Sequence, residues 1–155
     1  MKNKLMKLIP IVVMVLAVAT WCVPDLRAGS DADEIKALIE SCYVHGAFNE
    51  LNPEAMKRGF HPDFAIFSPK GEEIGKYPIA DWVESTAKRQ GSEDFDPAKN
   101  VWEHRFASVD VTGDAAAVKI ELSREGKHVF TDYLSLLKFD SGWRIVAKVY
   151  HRHES

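Results

Sequence analysis

Residues 129–152, VFTDYLSLLKFDSGWRIVAKVYHR, decide the fold. They read as two long strands joined at Asp140-Ser141-Gly142, a three-residue loop with Gly142 in the left-handed position that closes such hairpins. That loop pairs Phe139 with Trp143 and sets the register. One face then carries Phe139, Leu137, Ser135, Tyr133 and Thr131 opposite Trp143, Ile145, Ala147, Val149 and His151. The other carries Lys138, Leu136, Leu134, Asp132 and Phe130 opposite Arg144, Val146, Lys148, Tyr150 and Arg152. The first face is mostly apolar until its far end, where Tyr133, Thr131 and His151 gather. The second mixes charge with a strip of Leu134, Leu136 and Val146. A slip of one residue would scramble both sets, so the pattern itself supports the register.

Upstream, Glu125-Gly126 turns the chain into this hairpin, and Gly113-Asp114 is the turn of another. The second turn pairs Val111, Val109 and Ala107 with Ala116, Val118 and Ile120 on one apolar face, and Asp110, Ser108 and Phe106 with Ala117, Lys119 and Glu121 on the other. Strand signals begin at Val101, after a polar loop over Gly91 to Asn100. Before that come helices. Ser30 is placed to cap one from about Asp31 to Asn49, whose Ile35, Leu38, Ile39, Cys42, Tyr43 and Gly46 form one stripe. Asn52 caps a short helix with Pro53 in its first turn, ending near Gly59. Pro62 disfavours a helical His61, Phe64 to Phe67 reads as a strand, and Ser68 to Gly71 as a turn. Ile79 to about Gln90 is a second amphipathic helix, with Ile79, Trp82, Val83, Thr86 and Ala87 on one side.

The chain has 155 residues, one domain's worth, and part of it is not domain. Residues 1–28 have the form of a secretory signal: Lys2, Lys4 and Lys7, then an apolar run from Leu8 to Trp21, then small residues. Cleavage after Ala28 or after Ala19 fits that form. The run is shorter than the roughly 20 residues that span a bilayer, so no stable membrane insertion is expected once the signal is removed. Trp21 is too bulky for lipid processing at Cys22. Cleavage at Ala28 would lower the basic count from 20 to 16 and the acidic from 23 to 22, leaving a net charge of −6. With no basic run to track phosphates, nucleic acid is not an expected partner. The domain over residues 29–155 keeps one cysteine, Cys42, so an exported chain must be held by its core and not by a disulfide.

Three motifs carry a family resemblance: Phe60-His61-Pro62-Asp63, Val111 to Val118, and Thr131 to Lys138 leading into Gly142-Trp143-Arg144-Ile145-Val146. Over roughly Asp31 to Arg152 the chain resembles the "Putative lumazine-binding" family of the nuclear transport factor 2-like superfamily. The resemblance implies an α+β, cystatin-like fold: a cone-shaped barrel of helices packed against a strongly curved antiparallel β-sheet, with a pocket between them. It also implies a homodimer through the outer sheet face, here through Leu134, Leu136, Val146 and Tyr150. The superfamily holds cofactor-independent isomerases, dehydratases and hydrolases as well as binders, so fold alone does not choose a reaction.

Tyr43, His61, Phe64, Trp82, Tyr133 and His151 are the expected pocket residues, since rings with polar tips suit a planar organic ligand, of which a flavin or lumazine is one example. For Phe64 and Trp82 the plainer role is core packing. His61 is a candidate general base or acid, set against a ring that simply bonds backbone at the helix-to-strand break. Tyr133 and Tyr43 can orient a ligand oxygen. Asp132 is a candidate base if its pocket raises its pKa, but the register puts it on the outer face beside Tyr150 and diagonal to Lys148, where an ion pair or interface contact is expected unless a bulge between Phe130 and Tyr133 intervenes. His151 and His153 lack a spaced third ligand, so no metal is expected. No glycine-rich phosphate loop or nucleophile elbow is present, and no cofactor is expected. The leading expectation is an exported small-molecule-binding protein with an aromatic pocket. The alternatives are a cofactor-independent isomerase, dehydratase or hydrolase using His61 with Asp132 or Tyr133, and a dimeric interaction module without ligand.

Overall fold

Ile35, Ile39, Cys42 and Tyr43 recur at the spacing of one helical face, and that face is buried. The computed structural model describes residues 26–154, with side chains from residue 31 onward. The expected leader lies outside the described residues but for 26–28. Helix α1 (Leu26–Leu38) runs straight through Ser30, so the helix does not start there as expected, and passes into a π-helix (Ile39–Asn49). Hydrogen bonds five residues back, such as Glu50 N–H to the His45 carbonyl at 2.8 Å, widen the turn and bring Val44 and Ala47 onto the buried face. Asn100 closes its far end. The Asn100 side-chain amide donates to the carbonyls of Phe48 and Asn49, two of the acceptors that a helix terminus leaves unpaired.

Helix α2 (Pro53–Gly59) is built as its sequence dictates: Asn52 accepts a bond from the Ala55 amide at 3.1 Å and Pro53 opens the first turn. It ends against the π-helix so closely that a Cβ on Gly59 would lie 2.2 Å from Cβ of Cys42. Backbone cannot yield that much without repacking. Gly59→Ala is therefore expected to cost about 1–3 kcal/mol, an overpacking penalty; an unchanged urea midpoint would show that the two helices can part freely.

The remaining elements are β1 (Phe60–Lys70), β2 (Glu73–Pro78), α3 (Ile79–Gln90), β3 (Glu103–Thr112), β4 (Ala115–Arg124), β5 (Lys127–Phe139) and β6 (Gly142–Arg152). They form one sheet in the order β2-β1-β6-β5-β4-β3, antiparallel throughout except for the parallel pair β1–β6. The result is the expected α+β cone, with the helices on the inner face of the sheet. Strand β2 carries no alternation that marks it as a strand in the sequence. The first strand runs three residues into what reads as a turn, ending at Lys70.

Bulges at Ala107, Val129 and Val146 bend this sheet. A bulge adds a residue to one strand, so every side chain beyond it changes face. In the final hairpin, Thr131–His151, Tyr133–Val149 and Ser135–Ala147 pair as the pattern requires. Beyond Val146 the pairing becomes Leu136–Ile145, Lys138–Trp143 and Phe139–Gly142, around a two-residue turn. Trp143, Ile145, Leu134 and Leu136 are consequently all buried on the inner face. Leu134 and Leu136, each 1 % exposed, are core and unavailable to a partner subunit. Tyr133, Leu137 and Val149 take the outer face instead. The Ala107 bulge likewise turns Phe106 inward against Ile120, where its expected partner was Glu121.

Candidate active site

The Val146 bulge and the pairing of β4 with β5 turn one polar pair into the cone. Ile120 lies beside Asp132 and Val118 beside Leu134, so the apolar face of β4 continues across β5 and takes Asp132 with it. Asp132 is wholly buried, which overturns its expected place on the outer face. Lys148, opposite Leu134 on β6, is 5 % exposed and sits 3.2 Å from Oδ2 of Asp132. From the π-helix, Tyr43 completes a closed ring: its hydroxyl donates to the same Oδ2 and accepts from Nζ of Lys148 at 2.7 Å.

Around Nζ stand the rings of Tyr43, Phe48, Trp82, Phe130 and Tyr150, with centroids 5.0 to 6.0 Å away. Such rings attract a cation through their negative faces, and they replace water with a weakly polarisable wall. Phe48, Trp82 and Phe130 are half-buried and Tyr150 is exposed, so the wall reaches the surface on that side. Trp102 extends it, edge-on to Phe48 and stacked on Phe130. Among the described residues, two polar atoms in this cluster are buried without a hydrogen bond: Oδ1 of Asp132 and Nε1 of Trp102.

Burial pushes the Lys148 ammonium down from the ordinary lysine range, with Asp132 opposing that shift. Burial first, then the charge and hydrogen bond of Asp132, push the Tyr43 phenol well above the ordinary tyrosine range. A phenol whose folded pKa exceeds its unfolded one contributes stability that is complete below about pH 10 and is lost as pH rises through the folded value. Lys148 has the opposite sign: stability rises with pH between its depressed folded value and about 10.4. In an alkaline absorbance titration, one of the four tyrosines should ionise only as the protein unfolds, and Tyr43→Phe should remove that late step. Ionisation of Tyr43 in step with free tyrosine would contradict its burial against Asp132.

The six expected pocket residues divide evenly. Tyr43, Phe64 and Trp82 meet inside: Trp82 is edge-on to Tyr43 and stacked with Phe64, which is itself core at 1 % exposure. Tyr133 and His151 lie on the outer face, Tyr133 beneath the Lys119 ammonium and His151 against His153. His61 points away from the cone. Its ring stacks on Phe139, its Nδ1 accepts from the Asp63 amide at 3.1 Å, and it borders a cleft of about 290 Å³ with Lys57, Ile79 and Val83. Sequence reasoning missed Lys148 and the ring set of Phe48, Phe130 and Tyr150. The signal for them was the diagonal relation of Asp132 to Lys148, which needed only the right face. Among the described residues no group of three or more His, Cys, Asp or Glu could hold a metal, and no helix is long and apolar enough to cross a membrane.

Helices laid on a bent mixed sheet, around an interior lysine, carboxylate and phenol, define a nuclear transport factor 2-like domain with a buried ionisable cluster. The chain belongs to the family described as "Putative lumazine-binding", which it matches over residues 30–151. A nuclear transport factor 2-like protein of unknown function from Silicibacter pomeroyi superposes with a TM-score of 0.64 at 23 % identity, over 81 % of this chain and 98 % of that one. Another, from Shewanella baltica, gives 0.63 at 23 % identity over 86 % and 99 %. A Cladobotryum protein named aldolase FrzH is 26 % identical over 113 residues, 72 % of this chain and 84 % of that protein.

Proposed function

We propose that the protein is a cofactor-independent enzyme that moves a proton at the carbon beside a carbonyl group. The observation that carries this reading is Asp132. One of its oxygens is held by Tyr43 and Lys148, while the other, Oδ1, is buried with no hydrogen-bond partner among the described residues. A buried unpaired acceptor costs about 1–3 kcal/mol, more when charged, and a carboxylate oxygen without a hydrogen-bond donor is suited to taking a proton from carbon. Tyr43 and Lys148 are donors that can stabilise the negative charge such a loss puts on the carbonyl oxygen. The rings keep water out and select an apolar substrate. The relative named aldolase supports the same class, because aldol chemistry in general begins with an enolate or enamine. Asp132 thereby replaces His61 as the candidate base.

The test is solvent deuterium exchange at the α-carbon, followed by proton NMR, across a panel of phenyl- and alkyl-substituted ketones and aldehydes. Exchange above the buffer blank is expected for apolar members of the panel. Exchange with none of them would overturn the reading. The second reading is a binder of a planar heterocycle such as a flavin or lumazine, favoured by the flat stacking of Trp102 on Phe130, with an interplanar angle of 20°. It predicts quenching of tryptophan fluorescence by such a heterocycle with no exchange.

A further inference from the structure

We infer that Lys148 is itself a catalytic nucleophile, whose amine forms an imine with the carbonyl carbon of a β-hydroxy ketone or aldehyde bearing an apolar group. The inference rests on the reading of Asp132 as the proton acceptor and adds a covalent step to it. Imine chemistry requires an amine able to lose its proton, an acid to expel water, a base for the β-hydroxyl, and a dry surrounding. All four are present within one small volume. The Lys148 amine is 5 % exposed, and that loss of water disfavours the ammonium form, although the surrounding rings and Asp132 favour it. Its polar partners among the described residues are Tyr43 and Asp132, although an ammonium has three protons to place. Asp132 holds it through one oxygen only; an arrangement built for a permanent ammonium would be expected to use both.

The chemistry closes without an added reagent. The lone pair of the neutral amine attacks the carbonyl carbon, and the π pair moves to oxygen, which takes a proton from Tyr43; the Tyr43 oxygen takes one back from the nitrogen, giving a neutral carbinolamine. Tyr43 then protonates that hydroxyl, which leaves as water as the nitrogen lone pair forms the positively charged imine; the Tyr43 oxygen recovers its proton from the water that later hydrolyses the imine. Asp132 then takes the β-hydroxyl proton, the Cα–Cβ bond breaks toward the imine, and an aldehyde departs. Asp132 returns the proton it took to the enamine carbon, which regenerates the carboxylate and an imine of the ketone. Addition of one water, equal to the one lost, frees the ketone and restores the amine. The same steps in reverse form the carbon–carbon bond.

The test uses the native protein with phenylacetone and cyanoborohydride, which reduces an imine to a stable secondary amine, followed by peptide mass spectrometry. Labelling at Lys148 is expected to exceed that at any surface lysine, such as Lys57 or Lys88, by roughly tenfold or more, as suits a buried Schiff-base lysine. Lys148→Arg should abolish that label and the release of fluorescent naphthaldehyde from a naphthyl-bearing β-hydroxy ketone. No preference for Lys148 in the native protein overturns the inference, whether or not the variant folds. Deuterium exchange that persists without such a label would leave Asp132 as base and remove only the covalent step; absence of both would overturn both.

Discussion

Asp132→Ala is expected to cost about 3–5 kcal/mol of folding stability, whereas Asp132→Leu combined with Lys148→Met returns most of that loss. The asymmetry follows from where the charges lie. Asp132 is wholly buried and Lys148 nearly so, and each has surrendered its water for the 3.2 Å contact between them and a hydrogen bond with Tyr43. Their attraction roughly offsets that cost; removing one partner leaves the other charge uncompensated among Tyr43, Phe48, Trp82, Phe130 and Tyr150. Replacing both with apolar chains of similar bulk removes the charge problem and keeps the packing with Ile120 and Leu134. Urea midpoints of the single and double variants measure the difference. Equal destabilisation by both would mean that the ion pair is held for stability. A stable double variant without turnover would mean that the pair is held for chemistry.

Asp132→Asn is the substitution with the largest expected effect on rate. It keeps the shape of the side chain and can still accept from Tyr43, but it cannot take a proton from carbon. Positioned general bases contribute about 10²–10⁴-fold, and α-proton exchange should fall by that factor. Because Lys148 loses its counter-charge, some stability falls too, so the rates must be compared at a temperature where both proteins are folded. His61→Ala should leave exchange unchanged, since the His61 ring faces Phe139 and the cleft beside Lys57 and not the aromatic wall. A loss at His61 equal to that at Asp132 would move the site out of the cone.

The sequence makes much of the scaffold readable and little of the site, for a physical reason. Helices α2 and α3 announce themselves through Asn52-Pro53 and through the stripe of Ile79, Trp82 and Val83, which are local signals. The hairpin turns at Gly113-Asp114 and Glu125-Gly126 are local too, and the observed pairs Thr112–Ala115 and Arg124–Lys127 follow from them. The bulges are not local. Val129 and Val146 resemble ordinary strand residues, yet each changes the face of the residues beyond it, and the choice of inner face depends on β4 lying beside β5. Read alone, the last hairpin looks more apolar on the face of Tyr133, Leu137 and Val149, which the structure turns outward. Placed beside Val118 and Ile120, the face of Leu134 and Leu136 must go inward, and Asp132 and Lys148 go with it. The π-helical winding that carries Tyr43 to meet them has no local signature either, since Ile39 to Gly46 reads as a plain amphipathic stretch.

One measurement bears most directly on whether this buried cluster performs chemistry: the rate of deuterium uptake at the α-carbon of phenylacetone, taken side by side for the native protein and Asp132→Asn under conditions where both are folded. The account predicts uptake well above the buffer blank for the native protein and a rate near the blank for the variant. Equal rates in the two proteins would contradict it, because Asp132 would then hold Lys148 and Tyr43 in place without taking part in any reaction.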